Sequence, residues 1–325
     1  MIKSLVTAAA LLLAFWTPGT LGGAASAAPK DSPWGASYFP NVPLVTHDGQ
    51  TVQFYDDLIK DKRVLINFIF TQCTDACPLA TAKLAQVQKL LGPRVGRDIF
   101  IYSITLDPEH DTPEALKAYA EKYGAGPGWL FLTGTRKDID AVRFKLGERS
   151  EKEEHLNVVR VGNGAKGQWM RLPLDGDLNY LVVEIGKTLD PNWYAGKSVK
   201  SFEEAPRFEI SGKGQLLFQN RCAACHTVGK GDLLGPDLKG VTARRERAWL
   251  IRYLAAPDQL RASKDPIALE LAKRAKVPMP NLALTQEDVA DLINFLEART
   301  AALEAKEHDH AAHDHAAHDH ARPSR

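Results

Sequence analysis

The sequence predicts two domains, an α/β domain followed by an all-α domain. Three observations support this fold class. The chain has 325 residues, and domains commonly contain roughly 100–200 residues each. Segments rich in β-branched and aromatic residues alternate with helical segments up to residue 189, which is the order typical of α/β domains. From residue 212 to about residue 299, only helical periodicity remains.

Composition excludes two classes of protein. The chain has 41 Lys+Arg and 40 Asp+Glu, and this balance gives no reason to expect a nucleic-acid partner. Four cysteines are too few for a scaffold held together by disulfides. They form two close pairs instead, Cys73/Cys77 and Cys222/Cys225, and such pairs are typical of metal, haem or redox chemistry.

Residues 1–27 have the pattern of an export signal. Lys3 supplies the positive start, residues 5–16 are apolar, and Ala25 and Ala27 provide small residues for cleavage after Ala27. We therefore expect a periplasmic protein in a bacterium. The alternative is an uncleaved membrane anchor, in which case this signal peptide would be the protein's only contact with the membrane.

The α/β domain is predicted over residues 38–189. Residues 63–70 and 99–104 have the β-branched and aromatic content of buried strands. Between them, residues 79–91 have helical periodicity that ends at a Gly-Pro pair. The segment before residue 50 is rich in Pro, Gly and Ser and is interpreted as an N-terminal arm.

Later signals complete this domain. Thr112 is expected to cap a helix that has Pro113 at its first position. A third strand at 129–132, a hairpin formed by 158–161 and 168–172, and a closing helix at 179–189 follow. Residues 190–208 are interpreted as a linker.

The second domain is predicted over residues 209–300, with its clearest helices at 248–254 and 287–296. A repetitive tail, residues 301–325, is predicted to be disordered. Such a tail can bind Cu(II), Ni(II) or Zn(II) weakly, or it can be solvated without any metal role. Its candidate ligands are His308, His310, His313, His315, His318 and His320.

The second cysteine pair has the spacing of a haem attachment site. Cys222 and Cys225 enclose two residues, and His226 follows directly. In such a C-x-x-C-H motif the thiols bond to the haem and the histidine becomes an iron ligand. The pentapeptide by itself also arises by chance or in zinc sites.

The surrounding residues favour haem over these alternatives. A Gly-Pro-Asp-Leu segment begins at Gly235, and Met279 lies between Pro278 and Pro280. Over about 90 residues the segment resembles a class I c-type cytochrome. The resemblance implies one covalent haem c with His226 and Met279 as axial ligands, used for electron transfer. The alternative for Met279 is simple core packing.

The first cysteine pair directly follows the strand predicted at 63–70. Cys73 and Cys77 are four residues apart and lie on one face of a helix. In thioredoxin-like folds a redox pair occupies this strand-to-helix junction. Two such thiols can bind Cu(I), zinc or an iron–sulfur cluster, or act as a redox-active pair. A third metal ligand would come from His47, His110 or His155.

The residues around this pair resemble the Sco/SenC family of thioredoxin-like copper proteins. The resemblance spans roughly residues 38–190 and is based on 70–78 (FTQCTDACP), 103–113 (SITLDPEHDTP) and His155 before a strand. It implies that Cys73, Cys77 and His155 hold one copper ion, as Cu(I) or Cu(II). Thr74 departs from the proline that family members often have, and Leu156 departs from the usual Ser or Thr.

Two functions from different classes follow from the resemblance. The leading expectation is an assembly factor that delivers copper to the binuclear copper site of cytochrome c oxidase. Its partners would be the copper-site subunit of the oxidase and a periplasmic electron donor or acceptor. The alternative is an enzyme, a thiol–disulfide reductase in which Cys73 and Cys77 are catalytic and haem supplies electrons. A simple electron carrier ranks last, since it leaves this pair unexplained.

Overall fold

The structure is a computed structural model that describes residues 33–74, 76–150, 157–190, 192–193 and 212–319. The predicted signal peptide 1–27, most of the predicted linker, His155 and His320 lie outside the described residues. For residues 309–319 only the backbone is described.

The α/β domain is built on a seven-stranded sheet with the order β2-β1-β5-β4-β3-β6-β7. The central strands β3, β4 and β5 are parallel, and the outer strands pair antiparallel. The strands are β1 (Pro43–Thr46), β2 (Thr51–Gln53), β3 (Arg63–Ile69), β4 (Ile99–Thr105), β5 (Trp129–Thr133), β6 (Val158–Asn163) and β7 (Gln168–Pro173).

Helices cover both faces of the sheet. Alternate residues of β3 enter different cores, because successive side chains of a strand point to opposite faces. Leu65 and Ile69 belong to one core, whereas Val64, Ile66 and Phe68 belong to the other. The helices of this domain are a π-helix (Phe54–Ile59), α1 (Ala76–Leu91), a 3-10 turn (Gly92–Arg94), α2 (Pro113–Tyr123), α3 (Arg136–Lys145) and α4 (Leu178–Leu189).

The predicted α/β class is confirmed, and the order of elements is thioredoxin-like. Thr112 caps α2 as expected, since its side chain accepts a hydrogen bond from Ala115 N. Five of the described elements of this domain were not predicted, namely β1, β2, the π-helix, the 3-10 turn and α3. The predicted N-terminal arm thus contributes a strand to the sheet. This strand, β1, is only four residues long, so its sequence is too short to show a period of two.

The second domain is helical throughout its described residues. Its first helix packs against its last: a Cβ at Gly214 would lie 2.1 Å from Asp291 O. Only glycine permits this close approach of two helix backbones. The helices are α5 (Lys213–Leu217), which continues as a π-turn (Phe218–Cys222), α6 (Val241–Arg244), α7 (Arg247–Ala255), α8 (Pro257–Ala262), α9 (Pro266–Arg274) and α10 (Gln286–Asp319).

The prediction that the tail is disordered is wrong for its described residues, which belong to helix α10. The helix continues without a break from Gln286 to Asp319, so residues 301–319 are helical. Alanine has the highest helix propensity, and the tail only extends a helix that is already nucleated. Lys239 Nζ also contacts Glu307 Oε1 at 2.6 Å, which fixes the first turns of the extension to the rest of the domain.

Among the described residues, no helix is both long and apolar enough to cross a membrane.

Candidate functional site

Cys73 and Cys77 lie where β3 leads into α1. The backbone N–H of Cys73 donates to Phe70 O at 3.2 Å, just beyond the end of β3. The backbone N–H of Cys77 in turn donates to Cys73 Sγ at 3.4 Å. The structure therefore places both cysteines at the junction of β3 and α1, as the sequence predicted. Cys73, however, lies in the loop before α1 (Ala76–Leu91), so the two do not share one helical face as expected. Neither forms a disulfide.

The two thiols differ in exposure. Cys77 has no exposed surface, whereas Cys73 is partly exposed. Burial, followed by the hydrogen bond from Cys73, raises the pKa of the Cys77 thiol well above its ordinary value. Cys77 is therefore protonated at neutral pH. A metal ion bound there would have to displace its proton, because thiolate is the form that binds metal.

A buried carboxyl group fixes the loop that carries Cys73. Asp111 has no exposed surface. It accepts hydrogen bonds from Thr71 N at 3.1 Å, from Thr71 Oγ1 at 2.5 Å and from Thr105 Oγ1 at 2.5 Å. Asp111 therefore ties the loop after β3 to the loop after β4. Asp111 belongs to the 103–113 motif, but no local pattern predicts that it holds this loop.

The structure separates the three histidines considered as a third ligand. Phe131 N donates to His47 Nδ1 at 3.1 Å, so that histidine continues the pairing of β1 with β5. His110 contacts Asp107 Oδ1 at 3.0 Å, and its side chain is 62% exposed. In the described part of the chain, no three His, Cys, Asp or Glu side chains are grouped closely enough to hold a metal. His155 lies outside that part and stays a prediction.

The second cysteine pair lines a cavity of about 460 Å³. This volume falls in the range of about 300–1,000 Å³ that is usual for cofactor sites. Its wall is mostly apolar, and both predicted axial ligands face it. The lining includes Cys222, Cys225, His226, Trp249, Leu250, Tyr253, Val277, Pro278, Met279, Pro280, Leu292, Ile293 and Leu296.

The imidazole of His226 is oriented by its surroundings. Its Nδ1 lies 2.8 Å from Pro236 O, which leaves Nε2 as the atom for a metal bond. Burial lowers the pKa of His226, and the neutral imidazole is the form that binds iron. A Cβ at Gly235 would lie 2.4 Å from His226 Cε1, so glycine there makes room for the ring. These features fit a haem bound through Cys222, Cys225 and His226.

Asp237 organises the loop that follows the haem-binding motif. Its carboxylate accepts from Thr227 Oγ1 at 2.6 Å and from Lys239 N at 2.7 Å. It also accepts from the backbone N–H groups of Gly229, Lys230 and Gly231. Burial opposes ionisation, but these donors outweigh it and hold the pKa of Asp237 well below its ordinary value. The Gly-Pro-Asp-Leu segment contains Asp237, but its sequence does not predict this role.

Met279 faces the cavity from the segment between α9 and α10. Pro278 and Pro280 line the same cavity, and Arg261 Nη1 donates to Met279 O at 2.9 Å. The hydrogen bond from Arg261 thus holds the backbone of this segment in place. The Met279 side chain also packs against the apolar cluster that contains Trp249. The structure brings His226 and Met279 to one cavity, as the sequence predicted.

The tail histidines are distributed along the end of α10. His308 is exposed. His310, His313, His315 and His318 lie within the helical backbone of α10, and His320 lies outside the described residues.

Two family models match the chain. The SCO1/SenC model covers residues 35–158, and the cytochrome c model covers residues 211–300. These two ranges contain the first and the second cysteine pair, respectively.

Curated relatives match the first of these regions. A SCO2-like protein of Rickettsia typhi is 33% identical over 177 residues, which is 54% of this chain and 72% of that protein. The mitochondrial SCO1 homologue of Homo sapiens is 32% identical over 137 residues (39% of this chain, 44% of that protein). The SCO1 homologue of Bacillus subtilis is 39% identical over 100 residues (30% and 50%). The chain spans about half the length of the human and Bacillus subtilis relatives.

Solved structures also resemble the chain. Copper-bound yeast Sco1 is 23% identical with a TM-score of 0.40 and covers 53% of this chain and 96% of its own. A putative electron transport protein from Aquifex aeolicus is 29% identical with a TM-score of 0.41 (49% and 97%). On the family models and the relatives together, the chain belongs to the SCO1/SenC family, and it joins a thioredoxin-like Sco domain to a cytochrome c domain.

Proposed function

We propose that this protein is a copper-binding assembly factor that delivers copper to the binuclear copper site of cytochrome c oxidase. The observation that supports this most is the pair of thiols, Cys73 and Cys77, at the junction of β3 and α1 within the region matched by the Sco family. Relatives whose names or descriptions mention copper include a putative copper-binding protein of Stutzerimonas stutzeri and yeast Sco1 with copper bound.

The thiols are suited to holding copper as a transferable ion. Thiolates are soft ligands that select Cu(I), and the predicted third ligand, His155, would complete a three-coordinate site. Transfer would proceed by exchange of ligands. As a thiolate of the oxidase subunit bonds to the copper, a cysteine of this chain releases it and takes up a proton. The ion keeps its oxidation state, so this step needs no electrons.

The cytochrome domain gives the protein a second role in electron transfer. A haem held by Cys222, Cys225, His226 and Met279 supplies a one-electron couple, which matches the one-electron change between Cu(II) and Cu(I). The thioether of Met279 favours a high reduction potential. The proposed partners are the copper-site subunit of the oxidase and a periplasmic electron donor or acceptor.

The proposed location is the bacterial periplasm, with export directed by residues 1–27. Thiols in that compartment are oxidised unless they are kept reduced, so a donor of electrons near Cys73 and Cys77 would serve copper loading. A reductase role for the same pair is less well supported. A third ligand such as the predicted His155 serves a metal site, whereas a reductase has no need of one.

An anaerobic Cu(I) titration tests the proposal. The protein would be the haem-loaded chain with its six tail histidines replaced by alanine, which removes weak ligands and keeps a good helix former in α10. We expect one tightly bound copper, lost in Cys73→Ser and in Cys77→Ser. Affinity should fall about 10–100-fold in His155→Ala, the size of effect seen when metal sites lose supporting groups.

The matched control is His110→Ala, which removes a histidine that is paired with Asp107 and should leave copper affinity unchanged. A chain with no tight site, whose thiols nevertheless reduce a model disulfide, would overturn the proposal in favour of the reductase.

A further inference from the structure

Helix α1 of the Sco domain contacts the haem-binding segment of the cytochrome domain. Gln86 Nε2 donates to Ala224 O at 3.3 Å. Ala224 is only 4% exposed, and it shares an apolar cluster with Leu79 of α1. Pro78, the neighbour of Cys77, lines the cavity of the cytochrome domain. The first turns of α1 are therefore covered by the cytochrome domain.

The covered surface includes the copper-binding pair proposed above. Cys77 belongs to the same apolar cluster as Ala224, and Cys73 and Cys225 pack against that cluster. Further apolar residues of the cytochrome domain against this cluster are Leu234, Val277 and Leu282.

Exchange of copper with another protein requires the same surface. The incoming thiolate must bond to the copper while Cys73 and Cys77 still hold it, so the partner's backbone has to come within a few ångströms of α1. Cys77 is fully buried, and Cys73 is only partly exposed. A protein of any size cannot reach these sulfurs while the cytochrome domain occupies the surface.

We propose that the cytochrome domain and the copper-exchange partner compete for one face of the Sco domain, the face formed by the start of α1. The docked cytochrome domain shields the thiol pair, and copper is exchanged only after it has moved away. The partner that replaces it is a protein that presents thiol ligands from an apolar surface, since the residues it displaces are Ala224, Leu234, Val277 and Leu282. That copper is the exchanged ion rests on the proposed function. The shielding of the thiols by the cytochrome domain is independent of it.

Thiol labelling tests the shielding without copper. In the haem-loaded, reduced chain, Cys73 and Cys77 are the thiols that are not bonded to haem. A maleimide attached to polyethylene glycol reports on access to them by a bulky group. Ala224→Arg introduces a long charged side chain into the apolar contact. We expect it to label about tenfold faster than the unmodified chain, the change produced by weakening docking by about 1.4 kcal/mol. The control is Ala302→Arg, the same substitution at an exposed position of α10, and it should label at the unmodified rate.

A second variant lies on the other side of the contact. Gln86→Glu replaces the donor to Ala224 O by a carboxylate and should also accelerate labelling, while its haem spectrum stays unchanged. Equal labelling rates in all four proteins would overturn the proposal even if copper binds tightly. Faster labelling in both interface variants without any tight copper site would keep the shielding and reject the copper function. With copper bound, both variants should also pass Cu(I) to a dithiol peptide faster than the control does.

Discussion

At the scale of single residues, the two sites differ in how their ligands are prepared. The buried thiol of Cys77 is neutral and releases its proton only when the free energy of metal binding offsets the cost of ionisation. Copper binding at this pair is therefore coupled to pH. His226 is already neutral and already oriented by Pro236 O. The haem-binding side chains are thus set for ligation, whereas the copper-binding pair changes its protonation state when it is loaded.

Removing the carboxyl group of Asp111 should loosen the Cys73 loop. Asp111→Ala leaves the hydroxyls of Thr71 and Thr105 and one backbone N–H without their acceptor in a buried place. Each lost hydrogen bond of this kind costs about 1–3 kcal/mol, and we expect the free energy of unfolding of the Sco domain to fall by about 2–4 kcal/mol. Urea denaturation followed by circular dichroism measures it. Asp111→Asn keeps one acceptor oxygen and should lose less; an equal loss would contradict this role.

Gly235 should be required for haem incorporation. In Gly235→Ala the new methyl group would lie 2.4 Å from the ring of His226, so the imidazole has to move away from its place in the cavity. We expect a lower haem-to-protein ratio or an altered Soret band in the purified chain. Gly176→Ala is the matched control, because nothing lies within 4 Å of a Cβ there. Normal haem content and an unchanged spectrum in Gly235→Ala would contradict the assignment of this cradle.

At the scale of elements, α1 has two functions in one helix. Its first turn carries Cys77, and its middle contacts the cytochrome domain through Gln86. Between them lies Lys83, which is 1% exposed and donates to Gly176 O at 2.7 Å. The pKa of Lys83 is lowered to about 8, chiefly by burial; Arg221 of the cytochrome domain also lowers it, whereas Asp175 and Asp177 oppose the change.

Because of Lys83, the free energy of unfolding should change with pH in the alkaline range. The folded chain releases the Lys83 proton near pH 8, whereas the unfolded chain keeps it up to the ordinary value of 10.5. The unfolded state therefore binds more protons in this window, and stability gained from this group rises with pH. Relative to Lys83→Met, the unmodified chain should gain about 2 kcal/mol between about pH 8 and about pH 10. Denaturant unfolding at both pH values measures the difference, and a difference independent of pH would contradict it.

The elements also show why some of the molecule was predictable from sequence and some was not. The buried strands and the capped start of α2 were predicted because their signals lie within a few neighbouring residues. Asp111 and Thr71 are 40 residues apart, and no local pattern reports such a pair. The tail of α10 was predicted to be disordered from its low complexity, but alanine content and attachment to an existing helix decided otherwise.

At the scale of the whole molecule, contacts between residues that are distant in the sequence are even harder to predict. The two cysteine motifs identify two chemistries, because ligand spacing is local. Gln86 and Ala224, which are in contact, are 138 residues apart in the sequence. Their contact follows from the packing of apolar surfaces, and the residues of these surfaces are scattered along the sequence as alanines and leucines. The fusion therefore places a haem-binding cavity against the proposed copper site, and this arrangement was left open by the sequence analysis.

The central claim is that Cys73 and Cys77 hold copper in a chain that also carries haem. X-ray absorption at the copper edge tests it most directly, on the haem-loaded chain with tail histidines replaced by alanine and one Cu(I) added. The account predicts two sulfur neighbours and one imidazole nitrogen, with the nitrogen lost in His155→Ala and no copper–sulfur neighbours remaining in Cys73→Ser, which does not hold the ion. A copper ion surrounded only by nitrogen or oxygen, or unchanged by Cys73→Ser, would contradict it.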